Sequence, residues 1–121
     1  PAGVLVVDDQ FTVRELQRSI LETAGYEVET APGGREALAR LAEGDVDLVM
    51  TDIEMPEMDG FELLAAIREH PVHSALPVVI VTSRGDDESR RRGLEGGADG
   101  YMVKDQFDQR ALLETIGRLA G

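Results

Sequence analysis

Short apolar runs alternate with longer amphipathic stretches along the whole chain. The apolar runs are rich in β-branched residues and predict five strands, over residues 4–7, 27–31, 48–51, 78–81 and 100–103. The stretches between and after them place apolar residues three and four positions apart and predict helices over 12–24, 34–43, 61–69, 86–94 and 109–120. Asp108 is the predicted N-cap of the last helix.

This alternation predicts one α/β domain over residues 1–121, built as a doubly wound parallel sheet with helices on both faces. The second strand alternates apolar and polar residues, so we expect it at an edge of the sheet. We expect the first helix to turn one apolar face inward, made of Val13, Leu16, Ile20, Leu21 and Ala24. A chain of 121 residues buries roughly two-thirds of its unfolded surface, which is enough for a core.

Polar side chains end or follow four of the five predicted strands. Asp8 and Asp9 follow the first strand, Asp52 the third, Thr82 the fourth and Lys104 the fifth. In open parallel sheets, ligands bind outside the carboxyl ends of the strands. We therefore expect these five residues to form one site.

Three carboxylates and one ammonium favour a divalent cation at that site. Two unit charges about 4 Å apart repel by about 4 kcal/mol at an effective dielectric of about 20, so the carboxylates need a cation among them. Oxygen ligands without His or Cys favour Mg²⁺, with Mn²⁺ as the alternative ion, and bound Mg²⁺ recruits phosphate oxygens. Asp52 stands apart from the Asp8–Asp9 pair and is the predicted nucleophile, which would form an acyl phosphate. Lys104 would supply a positive charge and Thr82 a hydroxyl donor to the phosphoryl group.

Composition and charge limit the kinds of molecule that the chain is expected to bind. The net charge of −12 disfavours direct contact with nucleic acid or anionic membranes. No apolar run approaches the roughly 20 residues that span a bilayer, and no signal peptide opens the chain. The absence of cysteine excludes disulfides and thiolate metal sites. We therefore expect a cytoplasmic protein without membrane insertion.

Taken together, the motifs of the chain resemble a response-regulator receiver domain of two-component signalling. The resemblance covers nearly the whole length and rests on Val7-Asp8-Asp9, Thr51-Asp52, Met55-Pro56 with Asp59-Gly60, Val81-Thr82-Ser83, Gly97-Ala98-Asp99-Gly100-Tyr101 and Lys104. It implies a flavodoxin-like strand order 2-1-3-4-5 and a phospho-accepting switch that assists its own phosphorylation and dephosphorylation without being an enzyme that acts on other molecules.

The resemblance also implies roles for individual residues. Asp52 would accept the phosphoryl group from a phosphohistidine on a histidine kinase or histidine phosphotransfer domain. Asp9, Asp52 and the backbone carbonyl of Glu54 would bind Mg²⁺ directly, and Asp8 mainly through water. Lys104 and Thr82 would contact the phosphoryl group, and Tyr101 would turn inward when Thr82 moves. The face formed by the fourth helix, fifth strand and fifth helix would then change its downstream protein partner.

One position departs from the family pattern. Receiver domains usually carry a cis-proline after the lysine, whereas Asp105 follows Lys104 here. Because a cis bond without proline costs about 3 kcal/mol, either the bond is trans with the lysine placed differently, or strain is retained at the site. The segment 101–116 resembles the C-terminal receivers of hybrid chemotaxis-type histidine kinases, which often lack that proline.

Three further groups of charged or titratable residues remain outside the five residues of the predicted site. We hypothesise that Glu54 and Arg84 form an ion pair over the pocket and slow the loss of the phosphoryl group. The basic cluster 90–92 would lie on the fourth helix, where it is either a docking point for an acidic partner or a solvated surface. His70 and His73 are expected to be solvated loop residues.

Two rival functions are weighed against the switch. An aspartyl-nucleophile phosphatase generally has a second aspartate two residues after the nucleophile, but Glu54 occupies that position and no cap domain is present. A binding-only receiver would have lost phosphorylation-dependent switching. The five intact site residues argue against it, and Asp105 keeps it open.

Overall fold

The computed structural model describes residues 2–106 and 108–120. Its elements follow in strict alternation, and all five strands are parallel. The strands are β1 (Gly3–Val7), β2 (Glu27–Ala31), β3 (Leu48–Thr51), β4 (Val78–Thr82) and β5 (Gly100–Val103). The helices are α1 (Phe11–Thr23), α2 (Gly34–Leu41), α3 (Gly60–Glu69), α4 (Asp87–Glu95) and α5 (Gln109–Ala120), with a short 3-10 turn over Lys104–Gln106.

The sheet has the order β2-β1-β3-β4-β5, which confirms the predicted doubly wound, flavodoxin-like fold and the edge position of β2. Strands β3 and β4 are buried at every residue, because helices cover both faces of the sheet. Side chains of α2 and α3 pack on one face of the sheet together with Ala98 and Tyr101. Side chains of α1 and α5 pack on the other face.

The structure corrects the face of α1 that was predicted to point inward. Leu16 is 60% exposed, whereas Gln17 and Leu21 are buried. Successive helix residues point about 100° apart, so the rotation that buries Gln17 turns Leu16 toward solvent. Ala24 is also exposed, because the helix ends at Thr23 and Ala24 is its C-cap before Gly25, whose φ is +100°.

Helix ends differ from the predicted bounds by one or two residues. α2 ends at Leu41 rather than at residue 43, and α3 begins one residue early, at Gly60. Asp86 is the N-cap of α4 rather than its first residue, since its carboxylate accepts from the Ser89 N–H at 2.9 Å. Asp108 accepts from the N–H of Arg110 at 2.9 Å, as a cap of α5 does.

Candidate functional site

The carboxyl ends of β1 and β3 bring the two buried aspartates side by side. The strands pair in parallel with Val7 opposite Thr51, so the residues that follow them, Asp8 and Asp52, are also neighbours. The Asp52 N–H donates to the Val7 carbonyl at 3.0 Å and extends the ladder into the site. Asp9, the next residue after Asp8, is exposed.

Asp52 is held on both carboxylate oxygens. Its Oδ1 accepts from the Ile53 N–H at 2.7 Å, and its Oδ2 accepts from Lys104 Nζ at 3.0 Å. The residue is 8% exposed, so little of it contacts solvent. Gly60, the first residue of α3, makes this packing feasible, because a Cβ there would lie 2.2 Å from the Asp52 carbonyl oxygen.

Asp8 lies deeper than Asp52 and shares the same lysine. It is 1% exposed; its Oδ2 accepts from Lys104 Nζ at 2.8 Å and its Oδ1 from the Gln10 N–H at 2.9 Å. Burial raises the pKa of the Asp8 carboxyl, and the hydrogen bonds from Lys104 and Gln10 only partly oppose that rise. Arg14, which the sequence did not single out, donates to the Asp8 carbonyl at 2.8 Å.

Lys104 reaches both aspartates although the peptide bond to Asp105 is trans. The described residues contain no cis peptide bond. The chain leaves β5 through the 3-10 turn, and the side chain still contacts Asp8 and Asp52. Burial alone would lower the pKa of Lys104, but its hydrogen bonds to the two carboxylates and their charges outweigh burial and raise that pKa. The ammonium therefore stays charged.

The carboxylates of Asp8, Asp9 and Asp52 form the metal-binding candidate. Each offers one oxygen, and the three oxygens lie within 4.8 Å of one another. One ammonium against three carboxylates leaves an excess of negative charge, and an all-oxygen ligand set matches Mg²⁺. The residues present therefore fit the predicted ion.

Thr82 is the last residue of β4, the strand next to β3 in the sheet. Its side chain is buried, and its Oγ1 accepts from the Arg84 N–H at 3.3 Å. That contact uses an oxygen lone pair, so the hydroxyl proton is left to donate to another group.

Glu54 and Arg84 lie at the edge of an open cavity of about 430 Å³, which Asp9, Met55, Pro56 and Asp59 also line. Arg84 Nε lies 3.4 Å from Glu54 Oε1, so the predicted contact exists. Both side chains are more than 40% exposed, and an exposed pair of this kind contributes only about 0–1 kcal/mol. Any role it has depends on its position at this cavity, which Asp9 also lines.

Tyr101 is already buried in this structure. It is 8% exposed, and its hydroxyl donates to the Arg84 carbonyl at 2.6 Å. Burial is the main cause that raises the pKa of its phenol. The Tyr101 side chain therefore points inward in this structure. The guanidinium of Arg90 lies 5.0 Å from the centroid of the Tyr101 ring, a contact that the sequence did not suggest.

The remaining polar residues named from the sequence lie away from the carboxylates. Arg91 is paired with Glu88 and Glu95 on the surface of α4. The rings of His70 and His73 stack with centroids 4.5 Å apart in the loop after α3; His70 is exposed and His73 half-buried. Among the described residues, no helix combines the length and the apolar character needed to cross a membrane.

Comparisons with known proteins agree with this geometry. The family model of the response regulator receiver domain matches residues 4–117. The chain is 40% identical to the transcriptional regulatory protein ResD of Bacillus subtilis over 96% of its own length and 47% of that protein. It is 37% identical to a gliding motility regulatory protein of Myxococcus xanthus over 96% of its own length and 15% of that protein. The chain thus spans less than half of these two relatives.

Solved structures share the whole fold. The chemotaxis protein CheY4 of Vibrio cholerae is 39% identical, with a TM-score of 0.89 and 98% of each chain covered. The response regulator TrrA of Thermotoga maritima, solved in complex with Mg²⁺-BeF, is 35% identical, with a TM-score of 0.87, covering 98% of this chain and 99% of that one.

Proposed function

The chain belongs to the response regulator receiver family, and on that premise we propose that it is a Mg²⁺-dependent switch phosphorylated on Asp52. The single observation that carries this proposal is the position of Lys104 Nζ, within 3.0 Å of both Asp8 and Asp52. A fixed cation beside a buried carboxylate can compensate the charge that a phosphoryl group brings.

In the proposed reaction, a carboxylate oxygen of Asp52 attacks the phosphorus of a phosphohistidine. A P–O bond forms, the P–N bond breaks, and the donor imidazole leaves with the bonding electrons and takes up a proton. Lys104 compensates negative charge on the phosphoryl oxygens, and Thr82 donates its hydroxyl proton to one of them. The donor would be a histidine kinase or a histidine phosphotransfer domain.

Asp9, Asp52 and the Glu54 backbone carbonyl would hold the metal ion directly, with Asp8 acting through water. Bound Mg²⁺ would offset charge on the equatorial phosphoryl oxygens. The oxygens gathered from Asp8, Asp9 and Asp52 support this assignment, as does the Mg²⁺-BeF complex of the Thermotoga relative. Mn²⁺ is the alternative ion.

Beryllofluoride tests the acceptor without a donor. With Mg²⁺, the wild-type protein should show a bound ¹⁹F NMR signal, because BeF₃⁻ occupies the place of a phosphoryl group on a carboxylate. Asp52→Asn should show none. Equal bound signals in the two proteins would contradict the assignment of Asp52.

We further propose that the Glu54–Arg84 pair slows hydrolysis of the acyl phosphate by restricting the approach of water. Glu54→Ala and Arg84→Ala should each shorten its lifetime. Arg110→Ala, which removes an exposed arginine on α5, is the matched control and should leave the lifetime unchanged. Unchanged lifetimes in both test variants would refute this role.

Phosphorylation would act on the face formed by α4, β5 and α5, where a downstream protein binds. The group would shift a conformational equilibrium there rather than push an element directly. The alternative of a binding-only receiver rested on Asp105. It is weakened, because Lys104 contacts both Asp8 and Asp52 although Asp105 follows it. Membership of a hybrid kinase stays a prediction.

A further inference from the structure

Helix α4 is held to the domain without a large apolar anchor. Its buried residues are Ser89 and Gly93, and its one large apolar residue, Leu94, is 48% exposed. Two arginines on the helix contact aromatic rings below it instead. The Arg92 guanidinium lies 4.2 Å from the centroid of the Phe61 ring, and the Arg90 guanidinium lies over Tyr101. Cation–π contacts therefore replace part of the usual apolar packing.

The Arg90 guanidinium contacts Tyr101 rather than a carboxylate. Within residues 2–106 and 108–120, the neighbouring Arg91 pairs with Glu88 and Glu95, but no ion pair involves Arg90. Besides facing the ring, Arg90 Nη1 makes a long contact of 3.5 Å with the Tyr101 carbonyl oxygen. The ring contact favours the buried position of the Tyr101 side chain, and the carbonyl contact keeps Arg90 beside that ring.

The Tyr101 ring fits beneath α4 because residue 93 is glycine. A Cβ on Gly93 would lie 3.1 Å from Tyr101 Cδ2 and 2.9 Å from Ile80 Cδ1. The ring is thus enclosed by the helix backbone, by Ile80 and by the Arg90 guanidinium. Its hydroxyl emerges at the Arg84 carbonyl, where it donates at 2.6 Å.

Arg84 connects this buried ring to the acceptor site. Its carbonyl accepts from Tyr101, its N–H donates to Thr82 Oγ1 at 3.3 Å, and its side chain contacts Glu54. The hydrogen bond from Tyr101 therefore restrains the loop that carries Arg84 and follows β4.

We propose that Arg90 is a positioning residue: by covering the Tyr101 ring, it holds the Tyr101 hydroxyl on the Arg84 carbonyl and so keeps the Arg84 side chain against Glu54, at the cavity that Asp9 also lines. Loss of the Arg90 charge lets Tyr101 leave its buried position, and Arg84 then occupies this place less often. The effect on phosphoryl lifetime rests on the proposed function, whereas the effect on Tyr101 does not.

Tyrosine fluorescence can report the effect on Tyr101 by itself. It contains two tyrosines and no tryptophan, so in a Tyr26→Phe background all tyrosine fluorescence comes from Tyr101. Acrylamide quenching then measures how often the ring is exposed. In that background Arg90→Gln should increase the quenching rate constant about fivefold, the factor contributed by one partly exposed cation–π contact.

Three variants and a second readout make the test specific. Arg90→Lys retains a cation and should restore most of the protection, while Arg91→Gln removes the adjacent charge and should leave quenching unchanged. If the proposed lifetime role of Arg84 holds, Arg90→Gln should shorten the acyl-phosphate lifetime as Arg84→Ala does. Thermal unfolding establishes that each variant is folded, and Arg90→Ala replaces Arg90→Gln if the latter does not fold.

Unchanged quenching in a folded Arg90→Gln protein would overturn the proposal, and so would an equal increase in Arg91→Gln. Increased quenching with a wild-type lifetime would overturn the link from Tyr101 to the site. If no variant, wild type included, accepts a phosphoryl group, the proposed function fails instead, and quenching alone decides the role of Arg90.

Discussion

Removal of the Lys104 charge should destabilise the protein far more than removal of a surface charge. Lys104→Met leaves Asp8 and Asp52, 1% and 8% exposed, facing each other without a cation. Loss of one partner from a buried charge cluster costs about 3–5 kcal/mol. The Lys104 side chain is 23% exposed, so solvent screening places the expected loss at the lower end, about 3 kcal/mol.

This loss of folding free energy corresponds to a decrease in the melting temperature. An unfolding entropy of about 2.1 cal/mol/K per residue gives roughly 0.25 kcal/mol/K for 121 residues. The Tm of Lys104→Met in EDTA should therefore lie about 12 °C below that of the wild type. Arg110→Met, which changes the net charge equally at an exposed position, should shift Tm by no more than about 2 °C.

Mg²⁺ should reverse much of the deficit, because a divalent cation takes over the compensation of the carboxylates. A ligand at 100 times its Kd adds about 2.7 kcal/mol to the stability of the folded state, and Lys104→Met should bind Mg²⁺ more tightly because no ammonium competes. Differential scanning calorimetry with EDTA and with saturating Mg²⁺ measures both effects. A Tm within 2 °C of wild type in EDTA, or an equal gain from Mg²⁺ in both proteins, would refute the reasoning.

Three other predictions test the surroundings of the site. Gly60→Ala should lower stability by roughly 1–3 kcal/mol and weaken Mg²⁺ binding by calorimetry, because the new Cβ would meet the Asp52 carbonyl at 2.2 Å; wild-type values of both would contradict the close contact. Arg68→Ala should cost about 2–3 kcal/mol in urea unfolding and Arg68→Lys nearly as much, since its guanidinium donates to carbonyls of two loops and to Asp99; full rescue by lysine would refute this. Without metal, the protonated Lys104 stabilises the fold, because its pKa is higher in the folded protein than in the unfolded chain. This contribution is fully present below the unfolded pKa of 10.5 and should fall as pH rises through the folded pKa. An equal loss of stability in Lys104→Met over the same pH range would contradict the assignment.

The sheet and the site were predictable because each strand of the site is a short apolar run that ends at a polar residue. The strand ends at Asp8, Asp52, Thr82 and Lys104 lie at one edge of any parallel sheet, so the alternation predicted their shared edge. The strand order that makes β1 and β3 neighbours came from the family resemblance. The position of Lys104 followed less directly, because a 3-10 turn rather than a cis bond carries the chain past Asp105.

Features that depend on the rotation of a helix about its axis or on tertiary packing could not be predicted from the sequence. Periodicity defined an apolar side of α1 but could not decide whether Leu16 or Gln17 would face the sheet. The contact of Arg90 with Tyr101 depends on the small residue at Gly93 and on how α4 lies across β5, neither of which a charge cluster in the sequence reveals.

The central claim is tested most directly by intact-protein mass spectrometry after incubation with a small phosphoramidate donor. Wild-type protein with Mg²⁺ should gain one phosphoryl group, whereas wild-type protein in EDTA and Asp52→Asn with Mg²⁺ should gain none. No gain in wild-type protein that demonstrably binds Mg²⁺, or an equal gain in Asp52→Asn, would contradict the account.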